Sequence, residues 1–565
     1  MAYLLALRPL QPLPEVRIKQ NIFQCQPWRP NLCFRLQDAG LNAIGSLQLG
    51  FKALGYLQLT ATITYFAVWL IRKYGLRQRE RHREEAFFVT HKCRQPLQLS
   101  YKWPLALDLI AEAFSADRRG GILTLFVSLV ERTGVTFEQN ILGARGIDTV
   151  DPRNVEAILN TQFKEFELGA RKATFRPLLG HGIFTQDGDA WKTSRDLLRP
   201  QFMHTRTRSF PAIQEVIEQF IASLKQSTEH VVDLQPRFFR LTMDTTKAVL
   251  FGRSPDSSSK QAEVGETAFA QAFDHAQHVL AQRGRLGDLY WLIDGLAFRR
   301  SCRTVHSFIN KIVADALTES TLPKEYETSE EGYVFLKALI ENTRDPKVLR
   351  DQCINVLLAG RDTTACLLSW TMTLLASHPD VQQELRDECR GIPSYCHGEL
   401  PDAMELKSMK FLDNVLKEVL RLYPSVPVNS RAAVKTTTLP VGGGIDGLSP
   451  ILVRAGESVG YCVYAMHRRK DLYGDDAAYF RPTRWNELRT KELGMGYLPF
   501  NGGPRVCPGQ EFALLEAGYT IVRLLQTFDQ IDRAVEMPPR ERQTVTLVVS
   551  NADGCKVVLR RAKAE

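Results

Sequence analysis

The stretch FNGGPRVCPG, residues 500–509, places a single cysteine, Cys507, among glycines and directly before the helical sequence GQEFALLEAGY. Gly502, Gly503 and Gly509 permit backbone conformations and close approaches that a side chain would block. A flat group can therefore lie against this loop. The partial positive charge at the start of the following helix favours a thiolate over a thiol.

An arginine accompanies the cysteine, because Arg505 lies two residues before it and can hold an anion at the edge of a bound group. These features suit a thiolate that binds haem iron axially. A buried structural cysteine after a proline turn is the alternative, and it is the usual role of one isolated cysteine. The loop resembles the F-x-x-G-x-R-x-C-x-G signature of the cytochrome P450 superfamily at five positions: Phe500, Gly503, Arg505, Cys507 and Gly509.

The composition is that of a globular protein, with 44% apolar and 24% charged residues among 565 and a net charge of +9. No basic stripe with interleaved aromatic residues is present, which argues against binding to nucleic acid. The 11 cysteines are odd in number, scattered and without a CxxC pair. This pattern argues against a disulfide framework and a zinc site, and it favours a reducing compartment.

A segment near the N-terminus has the properties of a membrane anchor. Residues 53–71, ALGYLQLTATITYFAVWLI, are uncharged over 19 residues, close to the roughly 20 that a membrane-spanning helix needs. Six arginines or lysines follow within residues 72–83, and a positive flank marks the cytoplasmic side. We predict a single-pass anchor in the endoplasmic reticulum membrane, with the catalytic domain on the cytosolic face. A buried amphipathic core helix is the alternative.

The predicted organisation has four parts. Residues 1–52 form an N-terminal tail of unassigned role, either a lumenal segment or the product of an over-extended gene model. Residues 53–71 form the anchor and residues 72–99 a basic linker. Residues 100–565 form the haem-thiolate monooxygenase domain that the resemblance implies, mainly α-helical with small β-sheets.

The pattern of apolar residues predicts the main elements of this domain. Long helices are expected within residues 334–379 and 408–424, and a third helix begins just after Cys507 and continues through residues 518–528. Short strands are expected at residues 146–151, 458–465 and 544–550. The glycine-rich stretch 439–450 lacks a GxGxxG followed by a helix, so a turn is predicted there and not a phosphate-binding loop.

The stretch LLAGRDTTA, residues 357–365, places an acid, Asp362, and an alcohol, Thr363, inside an otherwise apolar helix. A threonine there can bond back to the carbonyl four residues earlier, which for Thr363 belongs to Ala359. Such a groove can hold dioxygen and deliver protons, and a buried acid without a function is costly. Alternatively, the helix merely crosses the core and Asp362 pairs with Arg361. The stretch is similar to the A-G-x-D-T-T oxygen-activation motif of the same superfamily.

Two further stretches carry an acid–arginine pattern. In KEVLR, residues 417–421, Glu418 and Arg421 are three apart and share a helix face. The stretch FRPTRW, residues 480–485, resembles the P-x-R-F/W segment of the superfamily. The resemblance implies that Arg484 completes a buried Glu418–Arg421–Arg484 network whose role is to hold the cysteine loop.

Haem-binding residues are implied by a fourth stretch, DGDAWKTSRDLLRPQF, residues 187–202. Trp191 and Arg195 are four apart and resemble the W-x-x-x-R pair that binds the haem propionates. With Arg505 and Arg431 they would match the two carboxylates with cations, since arginine suits bidentate carboxylate binding.

The resemblance extends over about residues 100–560 and implies the cytochrome P450 fold with haem b as cofactor. It implies a monooxygenase that converts RH, O2, NADPH and H+ to ROH, H2O and NADP+. In that reaction the Cys507 thiolate pushes electron density to iron, and Asp362 and Thr363 steer protons as catalytic residues.

Longer segments, among them residues 160–202 and 423–453, resemble the fungal microsomal hydroxylases of n-alkanes and fatty acids. This resemblance implies a small apolar substrate and terminal hydroxylation. A hydroxylase of a fungal secondary metabolite on the same fold is the alternative. Haem-thiolate isomerases, peroxide-using enzymes and haem sensors are other classes, but they have little need of an acid–alcohol pair.

Electron donors are also implied, because no flavin or NADPH module is visible in the sequence. An NADPH–cytochrome P450 reductase is expected as partner, with a cytochrome b-type donor as a second source. Lys192 and Arg199 are candidates for the docking face, since cytosolic reductases present acidic patches. Membrane lipid is the remaining expected partner.

Overall fold

The computed structural model describes residues 78–227, 230–252, 260–320, 334–488, 490–535, 537–538 and 542–560, together with eight positions between 62 and 73. The chain divides into two compact units. The smaller lies within Leu7–Lys92, where residues 78–90 form a helix. The larger contains Cys93–Glu565.

The predicted tail, residues 1–52, lies outside the described residues, and so does most of the predicted anchor, residues 53–71. Within the part of the chain that is described, no helix is both long and apolar enough to cross a membrane.

Helices make up most of the larger unit. In chain order they are α1 (Leu107–Arg118), α2 (Ile122–Thr133), α3 (Pro152–Glu156), α4 (Arg171–Leu179), α5 (Gly188–Arg208), α6 (Phe210–Gln226), α7 (Leu234–Phe251), α8 (Lys260–Leu286), α9 (Leu296–Glu319), α10 (Phe335–Ile340), α11 (Pro346–Ser377), α12 (Pro379–Arg390), α13 (Pro393–His397), α14 (Ala403–Ser408), α15 (Lys410–Leu422), α16 (Val463–Met466), α17 (Lys470–Tyr473), α18 (Arg484–Glu487), α19 (Thr490–Leu493) and α20 (Gln510–Thr527).

The strands are short and form small sheets. They are β1 (Leu97–Gln98), β2 (Thr136–Ile141), β3 (Ala144–Thr149), β4 (Phe166–Glu167), β5 (Val232–Asp233), β6 (Val428–Ala433), β7 (Thr437–Gly443), β8 (Ser449–Val453), β9 (Ser458–Cys462), β10 (Gln530–Arg533), β11 (Gln543–Val545), β12 (Val549–Asn551) and β13 (Lys556–Arg560). A six-stranded mixed sheet has the order β1-β2-β3-β9-β6-β4, and β10-β13-β5 form a second sheet. The pairs β7-β8 and β11-β12 are separate antiparallel hairpins.

These elements confirm the mainly α-helical class with small sheets. The predicted helices are present as α11, α15 and α20. Helix α15 ends at Leu422, two residues before the proline at position 424, because proline cannot continue a helix. The strand predicted at residues 146–151 is β3, and the glycine-rich stretch 439–450 contains the turn between β7 and β8.

Two strand predictions need correction. The strand predicted at residues 458–465 ends at Cys462, because its partner β6 begins at Val428 and the chain then turns into α16. The strand predicted at residues 544–550 is a hairpin, in which β11 pairs with β12 across a turn closed by Thr546 N–H and Val548 O at 2.9 Å. Residues 544–550 (TVTLVVS) are mainly β-branched, and neither a glycine nor a proline marks the turn between the two strands.

Helix α11 passes through two separate apolar clusters. Leu349, Leu357 and other residues of its first half pack in one cluster with α8, α9 and α10. Its second half, from Ala365 to Ala376, packs in the other cluster with α15 and α20. The polar residues 360–364 therefore lie at the junction between the two cores.

Candidate active site

The Cys507 loop is closed by backbone hydrogen bonds between its two arms. The Cys507 N–H donates to Phe500 O at 2.9 Å, and the Val506 N–H donates to Gly503 O at 3.0 Å. Helix α20 begins three residues after Cys507, with Gly509 as its N-cap. The loop thus holds the cysteine just before the start of a helix, where the sequence predicts it.

Gly503 and Gly509 of this loop differ in whether the surrounding protein requires a glycine. Gly503 has a φ of +62°, and a Cβ there would overlap the backbone oxygen of Leu159. Gly509 has an ordinary φ of −94°, and a Cβ there would only touch the Phe202 ring at 3.4 Å. The backbone requirement predicted from the sequence is therefore met at Gly503. At position 509 neither the backbone conformation nor a described neighbouring atom requires a glycine.

The Cys507 side chain keeps accessible surface, so its sulfur can be reached by a bound group. Burial raises the pKa of its thiol, while the backbone N–H of Gly509 and the charge of Arg195 lower it. The predicted helix-start effect is present but smaller than the cost of burial. A metal ion bound to the sulfur would supply the charge that favours the thiolate.

Three of the predicted haem-binding residues lie together beside the Cys507 loop. The Trp191 indole has the guanidinium of Arg505 at 4.4 Å and that of Arg195 at 5.8 Å from its ring centre. Arg195 Nη1 donates to Val506 O at 2.9 Å, which ties α5 to the loop. Arg505 Nη2 pairs with Asp187 at 2.6 Å.

Two more arginines join this group, one predicted and one not. Arg431 is buried on β6, where it donates to Ser430 O at 2.7 Å and to Asn429 Oδ1 at 3.1 Å. Arg171, at the start of α4, bonds to the same Asn429 oxygen. Burial and then repulsion from Arg431 lower the pKa of Arg171 to about 10. A lone arginine at a helix start carries no local sequence signal for this position.

The resulting cluster holds more cations than anions. Burial lowers the pKa of Arg505 to about 10. Asp187 opposes this effect, and the other three guanidiniums (Arg431, Arg171 and Arg195) add to it. Buried like charges are costly unless anions neutralise them. Haem b carries two propionate carboxylates and an iron that a thiolate can bind, so the residues present fit it.

Asp362 is buried on α11 and is weakly paired. Arg361 Nη1 lies 3.5 Å from its Oδ1, but Arg361 has a closer ion pair with Asp274. Within the described residues Oδ1 of Asp362 makes no hydrogen bond. Burial raises the pKa of Asp362 to about 7, with Arg361 lowering it and Asp274 raising it. The carboxyl can therefore gain or lose a proton near neutral pH.

Thr363 makes the bond that the sequence predicts, since its hydroxyl donates to Ala359 O at 2.7 Å. Two neighbouring helix carbonyls also accept hydroxyl groups. Thr242 of α7 donates to Arg361 O at 2.8 Å, and Ser425 donates to Thr363 O at 2.9 Å. Side-chain donors that compete for helix carbonyls disturb the regular ladder. At the acid–alcohol pair, helix α11 therefore shares its backbone carbonyls with side-chain hydroxyl groups.

A second buried acid, Glu516 of α20, lies on the opposite side of α11 and is not among the residues predicted from the sequence. The Thr245 hydroxyl donates to its Oε1. Burial raises the pKa of Glu516 to about 8, while Thr245 and Thr364 lower it. A glutamate in the middle of an apolar helix was the available signal. Its partner Thr245 lies on α7, distant in the sequence, so no spacing within α20 shows that the two side chains meet.

The predicted acid–arginine network is present and fully buried. Arg421 binds Glu418 through two parallel bonds, Nη2 to Oε1 at 2.8 Å and Nε to Oε2 at 2.9 Å. Arg484 Nε lies 3.4 Å from Glu418 Oε1, and the Trp485 indole donates to Oε2 at 3.1 Å. Each carboxylate oxygen thus has more than one donor.

The structure brings the predicted residues into three groups on neighbouring elements. The first is the Cys507 loop with its arginines and Trp191, and the second is the Asp362–Thr363 pair on α11. Helix α11 packs against α20, which follows the loop, and against α15, which carries the third group, the Glu418 network.

Comparison with known proteins identifies the family. The Cytochrome P450 family profile matches residues 102–558. A Cytochrome P450 of Arthroderma benhamiae is 53% identical over 504 residues, which is 87% of this chain and 96% of the relative. Cytochrome P450 52A5 of Candida maltosa is 46% identical over 439 residues (75% and 82%). Cytochrome P450 monooxygenase g430 of Fusarium sp is 41% identical over 486 residues (82% and 84%).

These matches cover the loop, the α11 motif and the acid–arginine network together, and they confirm the family that the motifs predict. They also confirm haem b, which the family binds through a cysteine thiolate. The chain belongs to the cytochrome P450 family and is a haem-thiolate monooxygenase, which inserts one oxygen atom from O2 into a C–H bond of its substrate.

Proposed function

We propose that this monooxygenase hydroxylates the terminal carbon of a straight alkyl chain, in an n-alkane or a fatty acid. The support is the resemblance of residues 160–202 and 423–453 to fungal microsomal hydroxylases of these substrates. The identity of 46% to Cytochrome P450 52A5, which extends over 75% of the chain, also supports the proposal.

The proposed haem site rests on one observation, the cluster of one buried and three half-buried arginines at the Cys507 loop. Cys507 would bind the haem iron through its sulfur, and Trp191, Arg195, Arg431 and Arg505 would bind the propionates, with Phe500 and Gly509 lining the loop. When bound, haem b supplies the activation of dioxygen at its iron.

Proton handling is assigned to two residues of α11. The Asp362 carboxyl, with its pKa raised to about 7, can hold a proton near neutral pH and release it. The Thr363 hydroxyl donates its hydrogen to Ala359 O. The lone pairs of its oxygen therefore remain available to accept a proton in transit. We assign to these two groups the delivery of protons to the site.

Product analysis tests the substrate. The chain is placed in microsomes with a fungal NADPH reductase and offered dodecane and dodecanoic acid. We expect hydroxylation of the terminal carbon. Hydroxylation at interior carbons, or no product from a protein with a normal carbon monoxide spectrum, would contradict the proposed terminal hydroxylation of these substrates. The latter result would favour the hydroxylase of a secondary metabolite.

Cysteine variants test the axial ligand. Cys507→Ala should abolish the thiolate-type band in the carbon monoxide spectrum of the reduced protein. Cys396 is a second exposed free cysteine, so Cys396→Ala is the matched control and should keep the band. A thiolate-type band in the Cys507 variant would show that another residue binds the iron.

The proposed electron donor is an NADPH–cytochrome P450 reductase, with a cytochrome b-type protein as second donor. Lys192 and Arg199 are exposed on α5 and seven residues apart, so they share one helix face. Lys192→Glu should slow reduction by an acidic reductase, most of all at low salt. Lys311→Glu, on the exposed face of α9, should not. Equal reduction rates in both variants would contradict this docking face.

The proposed location is the endoplasmic reticulum membrane, with residues 53–71 as the anchor and lipid as a partner. The support is the uncharged sequence of this segment and the basic residues after it. Deletion of residues 1–71 should move the protein from the membrane to the soluble fraction after a high-salt wash. Full retention in the membrane would show that other residues hold it there.

A further inference from the structure

His467 is a fully buried histidine that lies outside every motif of the family resemblance. It follows the short helix α16 directly and has no accessible surface. On one side of its ring is the Glu418–Arg421 pair, and on the other is the segment that leads into the Cys507 loop.

Hydrogen bonds fix the ring from both sides. His467 Nδ1 lies 3.1 Å from Arg421 O, and Arg421 Nη1 donates in return to His467 O at 2.9 Å. The Leu498 N–H donates to His467 Nε2 at 2.8 Å. Because Nε2 accepts, the hydrogen must be on Nδ1, which donates to Arg421 O. His467 is therefore neutral in this arrangement.

The segment beside His467 is held at three successive residues. Gly496 O accepts from the Tyr473 hydroxyl at 2.8 Å. The Tyr497 ring stacks on the His467 ring, with centroids 5.3 Å apart and planes at 25°, and its hydroxyl donates to Lys417 O at 3.1 Å. Leu498 follows, with its bond to His467.

A short path leads from this segment to the cysteine. Leu498 lies two residues before Phe500, and the residue between them is a proline with a restricted backbone. Phe500 O accepts the Cys507 N–H at 2.9 Å. A displacement of Leu498 therefore reaches Cys507 through three residues and one hydrogen bond.

We propose that His467 is a positioning residue for the Cys507 sulfur: it connects the rigid Glu418–Arg421 pair to Leu498 and so fixes the arm that holds Cys507 N–H. This inference rests on the proposed role of Cys507 as axial ligand. Among the described residues, His467 is the side chain that bonds to both the network and the loop arm.

The surroundings keep the ring in the required form. Burial and then the positive charge of Arg421 lower the pKa of His467 to about 3. A proton on Nε2 would place two N–H groups against each other at Leu498, so the bond requires the neutral ring. The three aromatic rings of Tyr473, Tyr497 and Trp485 enclose this side of the network.

The test compares three variants of the haem-loaded protein. His467→Phe keeps a ring for stacking but removes both hydrogen bonds, and we expect the ratio of thiolate-type to non-thiolate band in the carbon monoxide spectrum to fall by roughly five-fold. His467→Gln keeps an acceptor for Leu498 N–H and should restore part of the ratio. Tyr473→Phe removes one hydroxyl bond to the same segment and should lower the ratio less.

Gln382→Leu is the matched control, because Gln382 is also buried and donates to two backbone carbonyls, Leu375 O at 3.1 Å and Ile531 O at 2.9 Å. It should lower Tm while leaving the band ratio as in the parent protein. The proposal is overturned if His467→Phe keeps the parent ratio, or if the ratio falls with Tm to the same extent in the Gln382 and His467 variants.

The Cys507 and His467 variants distinguish a wrong assignment of the iron ligand from a wrong role for His467. If Cys507 is not the axial ligand, Cys507→Ala keeps the thiolate-type band. If only the role of His467 is wrong, Cys507→Ala abolishes the band and His467→Phe does not change it. Where His467→Phe yields no folded protein, the pair His467→Gln and Tyr473→Phe decides between the same two outcomes.

Discussion

Asp362 combines the energetic cost of burying an acid with the property that its proposed role as a proton donor needs. Its Oδ1 makes no hydrogen bond within the described residues, and its neighbouring cation binds Asp274 more closely. Burial raises its pKa to about 7. A carboxyl that is unstable in its charged form releases and regains a proton easily near neutral pH, which is the property a proton donor needs.

Replacement of Asp362 by asparagine should therefore change stability and coupling in opposite directions. The folded pKa lies above the unfolded value, so the charged group destabilises the native state above that value. We expect Asp362→Asn to raise the stability by up to ~4 kcal/mol at pH 8 and by little at pH 4. The yield of product per NADPH should fall. Calorimetry at both pH values and product assays check this, and an equal change in Tm at both pH values would contradict it.

Arg171 offers a second test at the level of one residue. If the arginine cluster binds the propionates, Arg171→Met removes a charged bond, and haem should dissociate faster by a factor on the order of ten. Arg132 is an exposed arginine that pairs with Glu112 at 3.1 Å, so Arg132→Met is the control. Transfer of haem to an excess of acceptor protein measures the rate. The same rate in both variants would exclude Arg171 from the haem site.

At the scale of elements, two of the three glycines of the Cys507 loop, Gly503 and Gly509, have separable roles. Gly503→Ala meets a left-handed backbone, at a cost of ~1–2 kcal/mol, and the oxygen of Leu159. It should lower Tm with or without haem. Gly509→Ala meets only the Phe202 ring at 3.4 Å, so it should lower Tm only when haem is bound. Calorimetry of haem-loaded and haem-depleted protein separates the two. A loss of Tm at position 509 without haem would contradict this.

The elements also show what could be predicted from the sequence. The Cys507 loop, the α11 motif and Glu418 with Arg421 were predictable because their residues are close in the chain and their spacing is set by one turn or one helix. Arg171 and Glu516 were not, because their partners on β6 and α7 come together only through the packing of distant segments. The hairpin within residues 544–550 was missed because its turn contains no turn-forming residue.

For the whole molecule, two buried carboxyls, Asp362 and Glu516, contribute a decline in stability as pH rises from about 4 to 8. Burial raises the pKa of Asp362 to about 7 and that of Glu516 to about 8. Between the ordinary values near 4 and these raised values, the folded protein holds protons that the unfolded chain releases. Stability from these two groups is therefore present at low pH and is lost as pH rises to 8. His467, with its pKa lowered to about 3, acts in the opposite direction below pH 6.5.

Glu516→Gln should flatten this decline. Between pH 6.5 and 8 each carboxyl changes the free energy of unfolding by up to ~1.4 kcal/mol per pH unit. The Tm of the variant should therefore fall less over this range than the Tm of the parent protein. Glu384→Gln, at an exposed position of α12, should follow the parent curve. A Glu516→Gln curve parallel to that of the parent would show that Glu516 is charged in the folded protein.

The two halves of α11 are each embedded in a core of their own, and between them the carbonyls of Ala359, Arg361 and Thr363 are shared with hydroxyl groups. In mechanical terms the helix is a beam clamped at both ends with its weakest cross-section at midspan. A beam of this kind bends first at its weakest section, so we expect a small displacement of one core relative to the other to change the shape of this helix first at the acid–alcohol pair.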